Sequence, residues 1–357
     1  MITFDWNDWN FIYRKASLHS RKPLERMGLR FLHSPCSLER IAVELQDQLN
    51  ASGIFTRVHA ESIWTDGTPQ AVFTTVAGEQ FKCELADLLV IIKEVFPSRG
   101  KRPVRETGLL VQAKISKSRF HLSQGNKNGE DSTFKERNLL EKLDRTTPLV
   151  LLSGYSSKST QIGSYFLAGA KPGLKDCARY LLMPDSSTWK LRTPHLNEPF
   201  QMGWASTMNP GRLNKPRNFT TAIYNMIVHK NAGKEISNPL KCEWSSLVED
   251  LRRKYHGIQM RGYNKQNRIN YSFNEIYQLY QPFYTFRGNS FSVSSSYLDN
   301  ELIDLMTREV GSESEEYNDD APPINIFFDF KEEDNLPKIP VMQLTIYHKE
   351  SPIEFSI

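Results

Sequence analysis

A chain of 357 residues that is 39% hydrophobic has room for two domains or one elaborated domain around a sizeable core, which excludes a wholly disordered polypeptide. Its charge is nearly balanced, 45 Lys and Arg against 41 Asp and Glu for a formal net +4, so bulk charge permits a nucleic-acid partner without pointing to one. Four cysteines without a C-x-x-C pair argue against a zinc ribbon. No apolar run reaches transmembrane length, and acids stand where a secretory leader needs basic residues, so the expectation is a soluble, reduced, cytoplasmic protein with no membrane partner.

Residues 1–33 form an aromatic-rich lead-in that periodicity does not assign. Ser34-Pro35 and a capping Ser37 then open a helix with Leu38, Ile41, Leu45 and Leu49 on one stripe, closed by Asn50 to Gly53. Strands are expected at about Ile54–Trp64 and Ala71–Val76, joined by a turn at Thr65–Thr68. Two more strand-like runs follow, Cys83–Ile92 and Gly108–Ser116, separated by the basic, turn-rich loop Phe96–Glu106. A polar stretch, a helix over about Ser132–Asp144 and an apolar strand at Pro148–Leu152 complete this part. The segment Gly154–Thr160 ends in K-S-T but lacks the glycine and the spacing of a phosphate-cradling loop.

Beyond residue 156 the pattern is mixed. Phe219–Lys230 and Trp244–Tyr255 read as amphipathic helices, with a third over Tyr297–Val310. The acidic run Ser312–Asp320 before Ala321-Pro322-Pro323 reads as a flexible linker, and short strand-like runs follow at Ile324–Phe330 and Pro340–Tyr347. The expected division is therefore a lead-in (1–33), a core (34–155), a mixed, partly helical accessory region (156–311) and a linker with terminal strands (312–357).

The two runs at 83–92 and 108–116 carry the most informative residues. Asp87 interrupts the first, while Gln112 and Lys114 share one face of the second. Burying a carboxylate, an amide and an ammonium in a sheet is costly unless they satisfy one another or hold a metal. Taken singly, each has a plain alternative: Asp87 in an ion pair with Lys114, Gln112 bonded to backbone, Lys114 extending to solvent from a strand end.

Asp87 followed on the next strand by Gln112-Ala113-Lys114 resembles the PD-(D/E)XK, or restriction-endonuclease-like, nuclease superfamily, in its Mrr-type branch where the second acid is replaced to give Q-x-K. The resemblance covers roughly residues 30–155. It implies an α/β (α+β) fold whose 34–155 segment is an αβββαβ nuclease core. It also implies Mg²⁺ or Mn²⁺ held by Asp87 and Gln112, with Lys114 serving the attacking water. A supporting acid on the first helix belongs to that pattern. The run Leu38–Leu45 is similar to the F-E-x-x-x-x-E-L stretch of Mrr-type first helices, so Glu39 is the preferred acid, as a metal ligand and catalytic support, with Glu44 as the other candidate.

Glu84, an odd number of residues from Asp87, is expected on the opposite strand face, and Glu106 in the preceding loop. The implied activity is metal-dependent endonucleolytic hydrolysis of double-stranded DNA, in bacterial restriction or anti-phage defence. A defence-system protein partner and a homodimer are implied with it. Arg99, Lys101, Arg102, Arg105, Lys117, Arg119, Lys127, Lys135 and Arg137 surround the motif, and a second basic cluster runs from Arg252 to Arg268. The alternative is a catalytically weak or inactive nuclease-fold subunit that binds nucleic acid or scaffolds a defence complex.

Overall fold

The computed structural model describes residues 25, 28–29, 32–33, 35–63, 69–97, 104–126, 131–153, 159–185, 198–253 and 339–349. Most of the lead-in, the turn at 65–68, the basic cluster from 254 onward, the expected helix at 297–310, the acidic linker and the run at 324–330 lie outside them.

Four helices are described: α1 (Pro35–Ala51), α2 (Ser132–Lys142), α3 (Phe219–His229) and α4 (Glu243–Arg253). The strands are β1 (Thr56–Ile63), β2 (Gln70–Thr74), β3 (Gln80–Glu84), β4 (Leu88–Val95), β5 (Val104–Ser116) and β6 (Leu149–Leu152). They continue as β7 (Gln161–Tyr165), β8 (Ala178–Pro184), β9 (Gln201–Ala205), β10 (Leu213–Asn218), β11 (Lys234–Ile236) and β12 (Val341–His348).

Helix α1 begins at Pro35, where the missing N–H costs nothing in a first turn, and buries Leu38, Ile41, Leu45 and Leu49 as their spacing requires. It ends where Gly53 takes φ +82° and Ile54 N donates to Leu49 O at 3.0 Å.

The larger sheet has eight strands in the order β1-β12-β4-β5-β8-β9-β10, with β11 pairing β5 off that path. Strand β4 (LLVIIKEV) is buried along nearly its whole length, as a central strand covered on both faces must be. Alternation sorts the side chains. Leu88, Val90, Ile92, Leu109, Val111 and Ala113 pack with α1 and α3. Leu89, Ile91 and Leu110 face the opposite way, toward α2, α4 and a second, four-stranded sheet β3-β2-β6-β7. The result is a mixed α+β fold in layers.

Several expected elements form but are placed differently. The run Cys83–Ile92 is not one strand: β3 ends at Glu84 in the smaller sheet, and Leu85–Asp87 carry the chain across to β4 in the larger one. The strand expected at Pro148–Leu152 forms as β6 but pairs antiparallel with β2; the parallel neighbour of β5 after α2 is β8. The run at Pro340–Tyr347 forms β12, antiparallel to β1 and parallel to β4, in the interior of the sheet. One sheet thus draws strands from the 34–155, 156–311 and 312–357 stretches alike.

Among the described residues no helix is long and apolar enough to cross a membrane. Cys83, Cys177 and Cys242 are free thiols, the first two buried.

Candidate active site

The β4–β5 ladder runs from Val95↔Val104 to Leu88↔Val111 and stops there. Strand β5 continues for five more residues, to Ser116, paired on its other edge with β8. The last backbone contact on the β4 side is Asp87 N donating to Val111 O at 3.0 Å. Past it, Ala113 N donates to the Asp87 carboxylate at 2.8 Å, and Ile115 N hydrogen-bonds to Glu25. Two carboxylates therefore stand where a neighbouring strand would otherwise continue.

Asp87, Gln112 and Lys114 come together there. Gln112 Nε2 donates to Asp87 Oδ2. Lys114 Nζ lies 2.7 Å from Glu136 Oε2 on α2 and 3.7 Å from Glu25 Oε2. Asp87, Gln112, Lys114 and Glu136 are all buried, and Glu25 is partly exposed. By strand parity Gln112 and Lys114 lie on the α2 face of the sheet, with Leu110.

The acids beside Lys114 are not those the first-helix pattern selects. Glu39 lies on α1, whose apolar stripe packs on the opposite face of the sheet, and its side chain is outside the described residues. Glu44 accepts from Arg40 Nε at 2.7 Å. Glu136 and Glu25 take the place beside the lysine. Both were legible in principle: Glu136 precedes Leu139 and Leu140 by three and four residues, and Glu25 precedes Leu29 and Leu32 by four and seven, so each sits on an apolar stripe where a solvated glutamate does not belong. Glu84 requires a correction. Because the strand breaks at Leu85–Asp87, odd spacing no longer separates the two acids, and the Glu84 charge acts on Asp87, Glu136 and Glu25.

Burial, reinforced by Glu25, Glu136 and Glu84 and opposed by Lys114, pushes the Asp87 carboxyl well above the carboxylate range. Burial likewise raises Glu136, to about 7, despite the lysine beside it. Burial alone would lower the Lys114 ammonium, but Glu25, Glu136 and Asp87 outweigh it and hold the pKa above the ordinary lysine value. Four carboxyl groups thus influence a buried cluster with one ammonium, and a bound cation would favour their ionised forms.

Among the described residues no three His, Cys, Asp or Glu side chains converge as a metal cage. Mg²⁺ does not require one, since it keeps waters and substrate oxygens beside one or two carboxylates. Here the oxygen donors are the Asp87 carboxylate and Gln112 Oε1, which is buried and has no hydrogen-bond partner among the described residues. An orphaned acceptor beside a carboxyl held far above its normal range fits a hard divalent cation.

The surrounding basic residues divide. Arg105 Nε donates to Glu94 at 2.7 Å, and Arg137 is buried and bonded internally, so neither is poised for phosphate. Arg252 pairs with Glu106 at 3.0 Å. Lys117 is exposed, while Arg99, Lys101, Arg102 and Lys127 lie outside the described residues. Comparison of the chain with known proteins finds no matching family model, no similar curated protein and no similar solved structure.

Proposed function

We propose that the chain is a Mg²⁺- or Mn²⁺-dependent DNA endonuclease of the restriction-endonuclease-like type, acting in bacterial restriction or anti-phage defence. The observation that carries this reading is the convergence of Asp87, Gln112 and Lys114 at the end of the β4–β5 ladder, with Gln112 Oε1 unpartnered. The run β4–β5–α2 followed by a strand parallel to β5 is compatible with the nuclease core, although β6 and β7 intervene before that strand.

Asp87 and Gln112 Oε1 would hold the cation. When bound, it supplies a Lewis acid and a water of lowered pKa. Lys114 orients the attacking water and offsets charge developing on the phosphoryl oxygens. Glu136 fixes the ammonium, and Glu25 steadies it from the other side while occupying Ile115 N.

A second reading has one observation in its favour: Gln112 Nε2 already donates to Asp87 and Lys114 is already paired with Glu136, as in a structural polar cluster of an inactive nuclease-fold subunit. Cleavage of supercoiled plasmid with Mg²⁺ or Mn²⁺ separates the two. The endonuclease reading expects nicking that Asp87→Ala abolishes and Lys114→Ala slows by about 100-fold or more. Cutting that survives both substitutions removes this site. Failure of folded wild-type protein to cut, together with no thermal shift by either cation, leaves the scaffold.

A further inference from the structure

Outside the Asp87 cluster, the described surface carries two adjoining segments of strongly unbalanced charge. Segments 116–126 and 206–218 contain Lys117, Arg119, His121, Arg212, Lys215 and Arg217 and no Asp or Glu, in a chain where the two signs are nearly equal. All of these except Arg119 are exposed.

The two segments are one object. His121 bridges to Arg212, Leu122 N donates to Gly211 O at 3.0 Å, and Leu213 N donates to Phe120 O at 2.8 Å. The Arg212 guanidinium stacks 5.4 Å from the Phe120 ring centroid. Arg137, buried on α2, ties both to that helix: its Nη1 donates to Ser123 O at 3.2 Å and Pro210 O at 2.9 Å, while Glu141 takes its remaining charge. Arg137 is the residue after Glu136. Ser116, two residues after Lys114, holds the near end of the ridge, its Oγ lying 2.7 Å from both Ser118 O and His121 O with one proton to share between them. Leu122 joins Leu139, Tyr180 and Leu182 in the core on the face that presents Lys114. The basic ridge is thus fixed to the same strand and helix that hold Lys114 and Glu136.

We propose that this ridge is the track on which the phosphodiester backbone of duplex DNA lies as it reaches the Asp87 cluster, an assignment that rests on the hydrolytic reading above. The cations are presented by a scaffold ordered in advance, which lowers the entropic cost of gripping a polyanion. A register shift between Asn214 and Arg217 lifts Lys215 out of the ladder at φ +45°. Arg119 Nε is buried with no hydrogen-bond partner among the described residues, a donor left for an external acceptor. Protection of an exposed sheet edge accounts for Lys215 and Arg217 on β10, but not for Lys117, Arg119 and His121, which belong to no strand. Single-strand grooves carry rows of aromatic platforms; these two segments hold one Phe and no Tyr or Trp, and Arg212 lies over one face of that ring, so the surface suits a backbone rather than a row of unstacked bases.

The test is anisotropy of a short labelled DNA duplex, titrated with full-length protein in EDTA over a series of KCl concentrations. The triple variant Lys117→Gln/Arg212→Gln/Arg217→Gln is compared with a control triple of exposed cations elsewhere, Arg57→Gln/Lys230→Gln/Lys241→Gln. The ridge variant is expected to bind roughly tenfold or more weakly and to lose about 0.9 of the log–log salt slope per contact removed, while the control stays close to wild type. Equal behaviour of the two triples, no duplex binding by folded wild type, or preference for single-stranded competitor overturns the assignment. Plasmid cleavage run on the same samples keeps the two readings apart. Cutting with ridge-independent binding removes the track and leaves the hydrolytic site. Ridge-dependent binding without cutting under either cation leaves the track and removes the hydrolytic site.

Discussion

Lys114→Met tests the electrostatics of the site most directly, because methionine keeps much of the stem volume and deletes the charge. The Glu136 carboxyl is pushed from its ordinary 4.5 to about 7 by burial even with the ammonium beside it. A carboxyl whose folded pKa is raised binds more protons folded than unfolded, so it destabilises the fold as pH rises from the unfolded to the folded value. For Glu136 that window is about 4.5 to 7, and at about 1.4 kcal/mol per pKa unit the loss is on the order of 3 kcal/mol. Removing Lys114 takes away the group that lowers Glu136 most, so the window extends above 7.

Near pH 5 Glu136 is largely protonated in both proteins, and the substitution is expected to cost little through this pair. Above pH 7 the variant keeps losing about 1.4 kcal/mol per pH unit for each carboxyl still protonated, toward the roughly 3–5 kcal/mol of a broken buried pair. Buried His33, held neutral and pushed down to about 3 by burial, gives stability that is present above its unfolded value and lost as pH falls through the window from 6.5 to about 3. It does so in both proteins and cancels in the difference. Urea unfolding at matched pH values with an unchanged m reads that difference. A wild-type-to-variant gap that stays constant from about pH 5 to pH 9 would refute the reasoning.

Arg137→Ala should cost about 3 kcal/mol and selectively remove hydrogen-exchange protection from residues 120–126 and 209–213, because the arginine binds Ser123 O, Pro210 O and Glu141. Unchanged protection there would mean the ridge holds itself together. Gly125→Ala places a Cβ 2.5 Å from Phe134 N at φ +68°, so a loss of more than about 1 kcal/mol is expected in thermal melts, and a neutral effect would deny the close approach to α2. Leu344→Ala in β12 should lose about 2–5 kcal/mol. Tyr347→Ala on the same strand, 40% exposed, should stay much nearer wild type, and similar losses for both would contradict the interior position of β12.

The local elements were largely legible. The stripe Leu38–Ile41–Leu45–Leu49 marks α1, and the apolar patterns at 219–230 and 244–255 mark α3 and α4, because a helix face needs only near neighbours to announce itself. Sheet order was not legible. An apolar run such as Leu149–Leu152 satisfies either sheet, and β12 carries no sign that its partners lie at the far end of the chain. Asp87, Gln112 and Lys114 stood out as polar groups in apolar runs. Glu136 and Glu25 stood out less, because glutamate is common on helices and only its place on a stripe distinguishes it. The break at Leu85–Asp87 defeated the parity argument for Glu84, since alternation holds only while a strand is unbroken.

The position of β12 bears on how the protein comes into being. Among the described strands it is the last to leave the ribosome, yet it is laid between β1 and β4, two of the earliest. Until residues 341–348 have emerged, β1 and β4 lack the partner that joins them, and their facing edges have only water to bond. Leu89 N, two residues past Asp87, donates to Pro340 O at 2.9 Å, so the anchoring of the strand that follows Asp87 also waits for that segment. A nascent chain, or one cut short by a premature stop, cannot finish this sheet. Completion of the fold is thereby tied to completion of synthesis at least as far as β12.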